Sequence, residues 1–213
     1  MKIVISGTTG VGKSTTVNLL KSKLEQEGKT VEIVGELVAD SPYFDLYFND
    51  LSEWGFVAQL DFLLERTKQF MIIEEKRTYK DPNHVVIFDR TWMEDLIFAE
   101  LYWVRQNTSA FLTNAYRIIY NHILELATQF DKVDHFILLE ASYDTVKLRM
   151  NKRGRSQETI FHDKYWKDLY WRYYNDKKYK KIFTDFSENM TTVYTDDIAP
   201  DKVVQKIIKK LGI

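Results

Sequence analysis

Residues 7 to 15 read GTTGVGKST, a Gly-x4-Gly-Lys-Ser pattern. An apolar run, KIVIS at 2–6, precedes it, and a helical stretch from about Ser14 to Glu27 follows. Strand, glycine-rich turn and helix in that order confine the chain to folds built on a P-loop. In such a turn the backbone N–H groups of Gly7, Thr8, Thr9, Gly10, Val11, Gly12, Lys13, Ser14 and Thr15 can curl around phosphate oxygens. The helix N-terminus adds positive potential there. Lys13 is expected to reach the β- and γ-phosphates and Ser14 to ligate Mg²⁺. A glycine turn that binds nothing is the bland alternative, and the complete motif in its proper context argues against it.

The rest of the chain alternates in the same way. Strands are expected at TVEIVG (30–35), HVVIF (84–88), DHFILLE (134–140) and TTVYT (191–195). Helices are expected at about 52–79, twice within 92–130, from about Tyr143 into the basic turn KRGRS, over about 159–182 and over 200–211. The strands are apolar along their length, as strands covered on both faces are. Five such strands predict an α/β architecture, a parallel five-stranded sheet with helices on both sides. The 213 residues suit one domain spanning 1–213, with no Gly/Pro-rich tract to act as a linker.

Composition narrows the function classes. Thirty basic and thirty-one acidic residues give a net charge of −1, so no global field attracts nucleic acid or an anionic membrane. The chain has no cysteine, which removes disulfides, thiolate metal sites and cysteine nucleophiles. No apolar run approaches the ~20 residues needed to span a bilayer. The strand at the N-terminus leaves no room for a targeting segment, and a cytoplasmic location is expected. His84, His122, His135 and His162 share no spacing with acids that suggests a metal site. The aromatic run at 161–179 invites a reading as a single-strand-binding surface. Trp166, Leu169, Tyr170 and Tyr173 nonetheless fall at the spacing of a core helix face.

Four further groups ask for a purpose. Arg149, Lys152, Arg153 and Arg155 cluster in RMNKRGRSQE, where Arg149 and Arg153 lie one helical turn apart. Beside a P-loop they suit a mobile lid, at about 149–160, that steadies charge on a transferring phosphoryl group. Glu36 follows the second strand, and in a parallel sheet ligands collect beyond the carboxyl ends of the strands. A carboxylate there can take a proton from an attacking hydroxyl. Asp89 and Arg90 come straight off the third strand, Asp89 to hold Mg²⁺ through water and Arg90 to sit between donor phosphate and acceptor. Glu94 and Asp95 are both accounted for in part as first-turn acids favoured by the helix dipole, which suffices for one of them. Finally, Gln59 and Arg66 share a helical stripe with Phe62 and Leu63, which puts an amide and a guanidinium in line with core residues.

Taken together, the P-loop, Glu36, Gln59 with Arg66, DRT with Asp95, and RxxxRGRxxE resemble the deoxyribonucleoside kinases, in order and in spacing. The likeness is to the deoxycytidine, deoxyguanosine and deoxyadenosine branch, most of all its bacterial deoxyadenosine/deoxyguanosine kinases, and runs from Lys2 to about Tyr194. It implies a P-loop kinase-type fold with an arginine-rich lid and transfer from MgATP to a deoxynucleoside 5′-hydroxyl. By that resemblance Glu36 is the base and Arg90 acts near the hydroxyl. Arg149, Arg153 and Arg155 are lid arginines, and Glu158 contacts the sugar 3′-hydroxyl. Gln59, Arg66 and Asp95 read the base, and the Arg/Asp pair points away from thymidine. It also implies a homodimer through helices in the region of 96–126. The chain departs from the family at Leu37, where proline is frequent, at Asp89 and Thr91, where ERS has become DRT, and at Phe48. Phe48 falls where a tyrosine ordinarily holds the 3′-hydroxyl, so Tyr47 or Tyr43 is the substitute. A thymidylate-like monophosphate kinase and a non-catalytic P-loop switch are the competing readings. The first needs a basic residue near GELVADSPY, which offers acids instead; the second has no use for Glu36, Gln59, Arg66 and Asp95 together.

Overall fold

The computed structural model describes residues 1–35, 41–155, 158 and 161–212. Five strands, β1 (Lys2–Ser6), β2 (Thr30–Val34), β3 (His84–Asp89), β4 (Val133–Glu140) and β5 (Ser187–Tyr194), form one sheet in the order β2-β3-β1-β4-β5. Every pairing is parallel. Nine helices join them among the described residues: α1 (Lys13–Gln26), α2 (Phe44–Asn49), α3 (Leu51–Lys76), α4 (Asp95–Gln106), α5 (Ala110–Ala127), α6 (Tyr143–Arg153), α7 (Asp163–Tyr174), α8 (Lys177–Asp185) and α9 (Pro200–Leu211).

Strand periodicity divides the core between the two faces of the sheet. Ile3, Ile5, Val85, Ile87, Ile137 and Leu139 pack with residues of α1, α6 and α9. Val4, Val86, Phe88, Phe136 and Leu138 face the larger layer, with residues of α3, α4, α5, α7 and α8. Leu169 and Tyr173 are fully buried there, with Trp166 and Tyr170 packed against the same cluster, so this face of the aromatic run is core, as its helical spacing suggests.

Three expectations about elements need correction. The helix expected over 159–182 is two helices, because Asp176 caps a new one by accepting from the Lys178 N–H at 2.9 Å. The helix expected to run to Tyr79 stops at Lys76, where Arg77 turns left-handed (φ 53°) into a 3-10 turn, Thr78–Lys80. The short helix α2 was not anticipated; its six residues carry too little periodicity to stand out.

The topology sets the site. β1 lies between β3 and β4, with Ile5 opposite Asp89 and Ser6 opposite Leu138. The P-loop therefore leaves β1 directly beside the Asp89–Arg90 turn, in the crevice beyond the carboxyl ends of the strands. Gly7 must be glycine here: its φ is 138°, and a Cβ would meet the Leu139 carbonyl oxygen at 2.6 Å. Gly55 serves a different purpose. A Cβ on it would lie 2.1 Å from the Tyr102 ring, so its absence lets α4 approach α3.

Candidate active site

Phosphate-binding parts meet where β1 and β3 end. Lys13 folds back over the P-loop, its Nζ donating to the carbonyls of Gly7 (3.0 Å) and Thr8 (3.1 Å). Ser14 Oγ donates to Asp89 Oδ2 at 3.2 Å, while the buried Asp89 Oδ1 has no hydrogen-bond partner among the described residues. A hydroxyl beside a carboxylate with an unused oxygen is a hard oxygen donor set, which fits Mg²⁺. Arg90 follows in the left-handed region (φ 70°), its N–H held by the Ile5 carbonyl at 3.2 Å. A non-glycine residue in that conformation costs on the order of 1 kcal/mol or more and persists where the surroundings enforce it. Its guanidinium lies over the Phe98 ring, 4.8 Å from the centroid.

Tyr174 was not among the residues singled out from the sequence. Its hydroxyl accepts from the Thr8 N–H (3.2 Å) and donates to the Leu139 carbonyl (2.7 Å), tying the P-loop to β4. Burial pushes its pKa up, so the phenol remains a donor. No local pattern marks it, because both partners lie more than thirty positions away. Tyr174→Phe loses both bonds and is expected to destabilise the protein by about 1–3 kcal/mol. It should also weaken nucleotide binding at the P-loop severalfold, as denaturant unfolding and nucleotide titration will show.

The basic segment closes the cleft from the other side. Arg149 is pinned: its guanidinium donates to the Val11 carbonyl (3.1 Å) and to the side chain (3.0 Å) and carbonyl (2.7 Å) of Thr195. Arg149 therefore braces the P-loop against the end of β5 as well as lining the cleft. Arg153 pairs with Glu158, and both line the cleft together with Arg155. Between Arg153 and Arg155, Gly154 ends α6 in a left-handed cap.

A single cavity of about 850 Å³ runs from the P-loop to a far end walled by α2, α3 and α4. Gln59, Arg66 and Asp95 meet there, 3%, 7% and 1% exposed, and Arg66 Nη1 donates to Asp95 Oδ1. The helical stripe puts Gln59 and Arg66 two turns apart on α3, facing the start of α4. The rest of that end is aromatic, with Phe44, Tyr47, Phe48, Phe62, Phe98, Phe161 and Tyr165 as walls. Tyr47 is buried, and desolvation raises its pKa well above the usual value while the nearby Gln59 side chain opposes the shift. Phe48 packs edge-on against Tyr47 and Phe161, with centroids 5.0 and 6.0 Å apart. Tyr43 stacks near Trp54 at 6.2 Å, outside the cavity lining. Glu36 and Leu37, singled out after β2, lie outside the described residues.

Glu94 needs a revised description. It is a first-turn acid, as the sequence suggests, but a fully buried one, hydrogen-bonded to β1, to α7 and to Thr91 of its own turn.

Known proteins resemble this chain in sequence and in fold. A family model described as "Deoxynucleoside kinase" matches residues 3–211. A deoxyguanosine kinase from Lactobacillus acidophilus is 30% identical over 222 aligned positions, covering 99% of this chain and 92% of that protein. A deoxyadenosine/deoxycytidine kinase from Bacillus subtilis is 29% identical, with 81% of this chain and 75% of the relative covered. The solved structure of deoxyadenosine kinase from M. mycoides with bound dATP superposes with a TM-score of 0.80 at 32% identity, and all of both chains is covered.

Proposed function

The chain belongs to the deoxynucleoside kinase family, and from that premise we propose that it transfers the γ-phosphoryl group of MgATP to the 5′-hydroxyl of a purine deoxynucleoside. The observation that carries this reading is the buried Gln59–Arg66–Asp95 group at the far end of a cleft that begins at the P-loop. A buried charged pair that lines a cleft can present hydrogen-bonding groups to a ligand, and beside Gln59 these suit a base edge with an exocyclic amine. Gln59 offers one donor and one acceptor for two-point pairing. Relatives named for deoxyadenosine, deoxyguanosine and deoxycytidine support a base with an exocyclic amine over thymine.

In this reading the P-loop backbone and Lys13 hold the donor phosphates, and Ser14 with Asp89 would hold Mg²⁺. When bound, that ion neutralises charge on the β- and γ-phosphates. Glu36 accepts the proton of the 5′-hydroxyl. Arg90, fixed in its left-handed turn, lies between hydroxyl and phosphate. Arg153 and Arg155 bring positive charge from the lid, and the pinned Arg149 adds its own from the side. Glu158 and Tyr47 flank the sugar. Most of the catalytic effect is then positioning and electrostatics. The whole chain, 1–213, acts as one kinase domain with residues 149–160 as its lid.

The assembly we propose is a cytoplasmic homodimer that binds neither nucleic acid nor membrane. Val104 on α4 and Phe111, Ile118 and Leu126 on α5 are 75%, 80%, 59% and 47% exposed, apolar side chains that a second copy would cover. Leu101 and Tyr102 on α4 are buried in the protomer's own core and take no part.

The deciding experiment is ADP release from MgATP with deoxyadenosine, deoxyguanosine, deoxycytidine, thymidine and dTMP, each at one concentration. Deoxyadenosine or deoxyguanosine is expected to lead and thymidine to trail by about two orders of magnitude or more. A deoxycytidine lead corrects the base. Turnover of dTMP alone moves the protein to the monophosphate kinases, and nucleotide binding without any acceptor moves it to the switches.

A further inference from the structure

Glu94 is the most enclosed carboxylate in the described structure that the chemistry above leaves unused. It is 0% exposed. Its Oε1 accepts from Ser6 Oγ at 2.7 Å and from the Tyr173 hydroxyl at 2.9 Å, and its Oε2 accepts from the Thr91 N–H at 3.1 Å. All three donors are neutral, so the charge is not there to form an ion pair. Taking a carboxylate out of water costs several kcal/mol, and charge-assisted hydrogen bonds offset that cost.

A capping role alone does not require this. Thr91 and Glu94 do form a capping box, with the Met93 N–H bonded to Thr91 Oγ1 and the Thr91 N–H to Glu94. That box occupies only Oε2. The other oxygen reaches two distant elements, and each donor adjoins a working part of the cleft. Ser6 immediately precedes Gly7 of the P-loop. Thr91 immediately follows Arg90, the residue held at φ 70°. Tyr173 immediately precedes Tyr174, whose hydroxyl grips Thr8 and Leu139.

We propose that Glu94 is a positioning residue that fixes the Arg90 turn in register against the P-loop and α7, so that the Arg90 guanidinium is aimed between donor phosphate and acceptor hydroxyl. Rigid, multiply bonded carboxylates suit this task because a charged acceptor holds several donors at short, directional distances. Small displacements at the reacting atoms are costly: a misplacement of about 1 Å can lower a rate about a hundredfold. The inference rests on the assignment of Arg90 to phosphoryl transfer.

The test compares wild type, Glu94→Gln, Arg90→Ala and the double variant. It reads kcat, both KM values and the thermal midpoint. Glutamine keeps the shape but presents an N–H₂ to at least one donor. Expected is a kcat about tenfold lower for Glu94→Gln with KM values within about threefold of wild type. In the Arg90→Ala background the same substitution should change kcat less than twofold, since misplacing an absent side chain costs nothing further. A Glu94→Gln enzyme with wild-type kcat and a lowered midpoint overturns the proposal, because the carboxylate then serves folding alone. Equal losses in both backgrounds overturn it as well. An Arg90→Ala enzyme with full kcat instead refutes the role of Arg90, which distinguishes that failure from this one. Should Glu94→Gln not fold, Ser6→Ala and Tyr173→Phe each remove one donor. Both are expected to lower kcat and to lose that effect without Arg90; a pair of fully active variants overturns the proposal.

Discussion

Asp95→Ala is expected to lower kcat/KM for the preferred deoxynucleoside by about a thousandfold or more and to destabilise the protein at the same time. The two effects have one origin. Arg66 and Asp95 form a buried pair with side chains 7% and 1% exposed, and removing one partner of such a pair typically costs about 3–5 kcal/mol. For a chain of this length each kcal/mol lowers the thermal midpoint by about 2–4 °C, so a drop on the order of 10 °C is expected. The catalytic loss is separable from it. In Arg66→Met/Asp95→Ala the charge pair is replaced by apolar volume, which often restores stability. That double variant should recover most of the midpoint and none of the turnover, because the site still lacks the donor and acceptor aimed at the base. Sites built around hydrogen bonds lose several orders of magnitude when pairing fails. Calorimetry beside acceptor kinetics decides the matter. Recovery of turnover together with stability would mean that the pair only supports the fold, and that base recognition lies elsewhere.

Arg66 and Asp95 also show why parts of this site could be read from the sequence and others could not. Gln59 and Arg66 stood out because helix geometry makes a local prediction, an apolar stripe, which they violate. Asp95 stood out because it was the second acid at a helix start where one acid suffices. The five strands were evident from their apolar runs, and their ends agree with the structure to within a few residues except at β5, which starts at Ser187 rather than 191. Misreadings arose where long-range contacts decide. Glu94 has the sequence signature of a surface helix acid, and only its proximity to Ser6 and Tyr173, 88 and 79 positions away, makes it a core residue. Tyr174 and Thr195 are equally silent. Arg149 gave a signal, but for the lid alone; its bonds to Val11 and Thr195 make it part of the frame as well. Hydrogen bonds between residues distant in sequence leave no periodic trace, whereas burial does.

Glu36→Gln carries the other large expectation, a fall in kcat of about 10²–10⁴ with both KM values near wild type. The register of the sheet motivates it. Val34, the last residue of β2, pairs with Phe88, one position before Asp89. The chain therefore leaves β2 level with the turn that carries Asp89 and Arg90, two residues ahead of Glu36. Glutamine keeps the size and one acceptor oxygen, so the 5′-hydroxyl can still be oriented but its proton has no base to go to. An interaction needed only in the transition state lowers kcat and kcat/KM together, whereas a merely contacting residue raises KM. A pH–rate profile sharpens the reading. The wild-type rate should fall on the acid side as a carboxylate protonates, and Glu36→Gln should lose that limb while remaining slow throughout. The opposite result is informative because phosphoryl transfer passes through a loose transition state, in which the attacking hydroxyl needs little help from a base. If Glu36→Gln keeps wild-type kcat, proton removal follows bond formation and Arg90 with the lid arginines carries the acceleration. Arg90→Ala, already required for the Glu94 cycle, would then show the larger loss of the two.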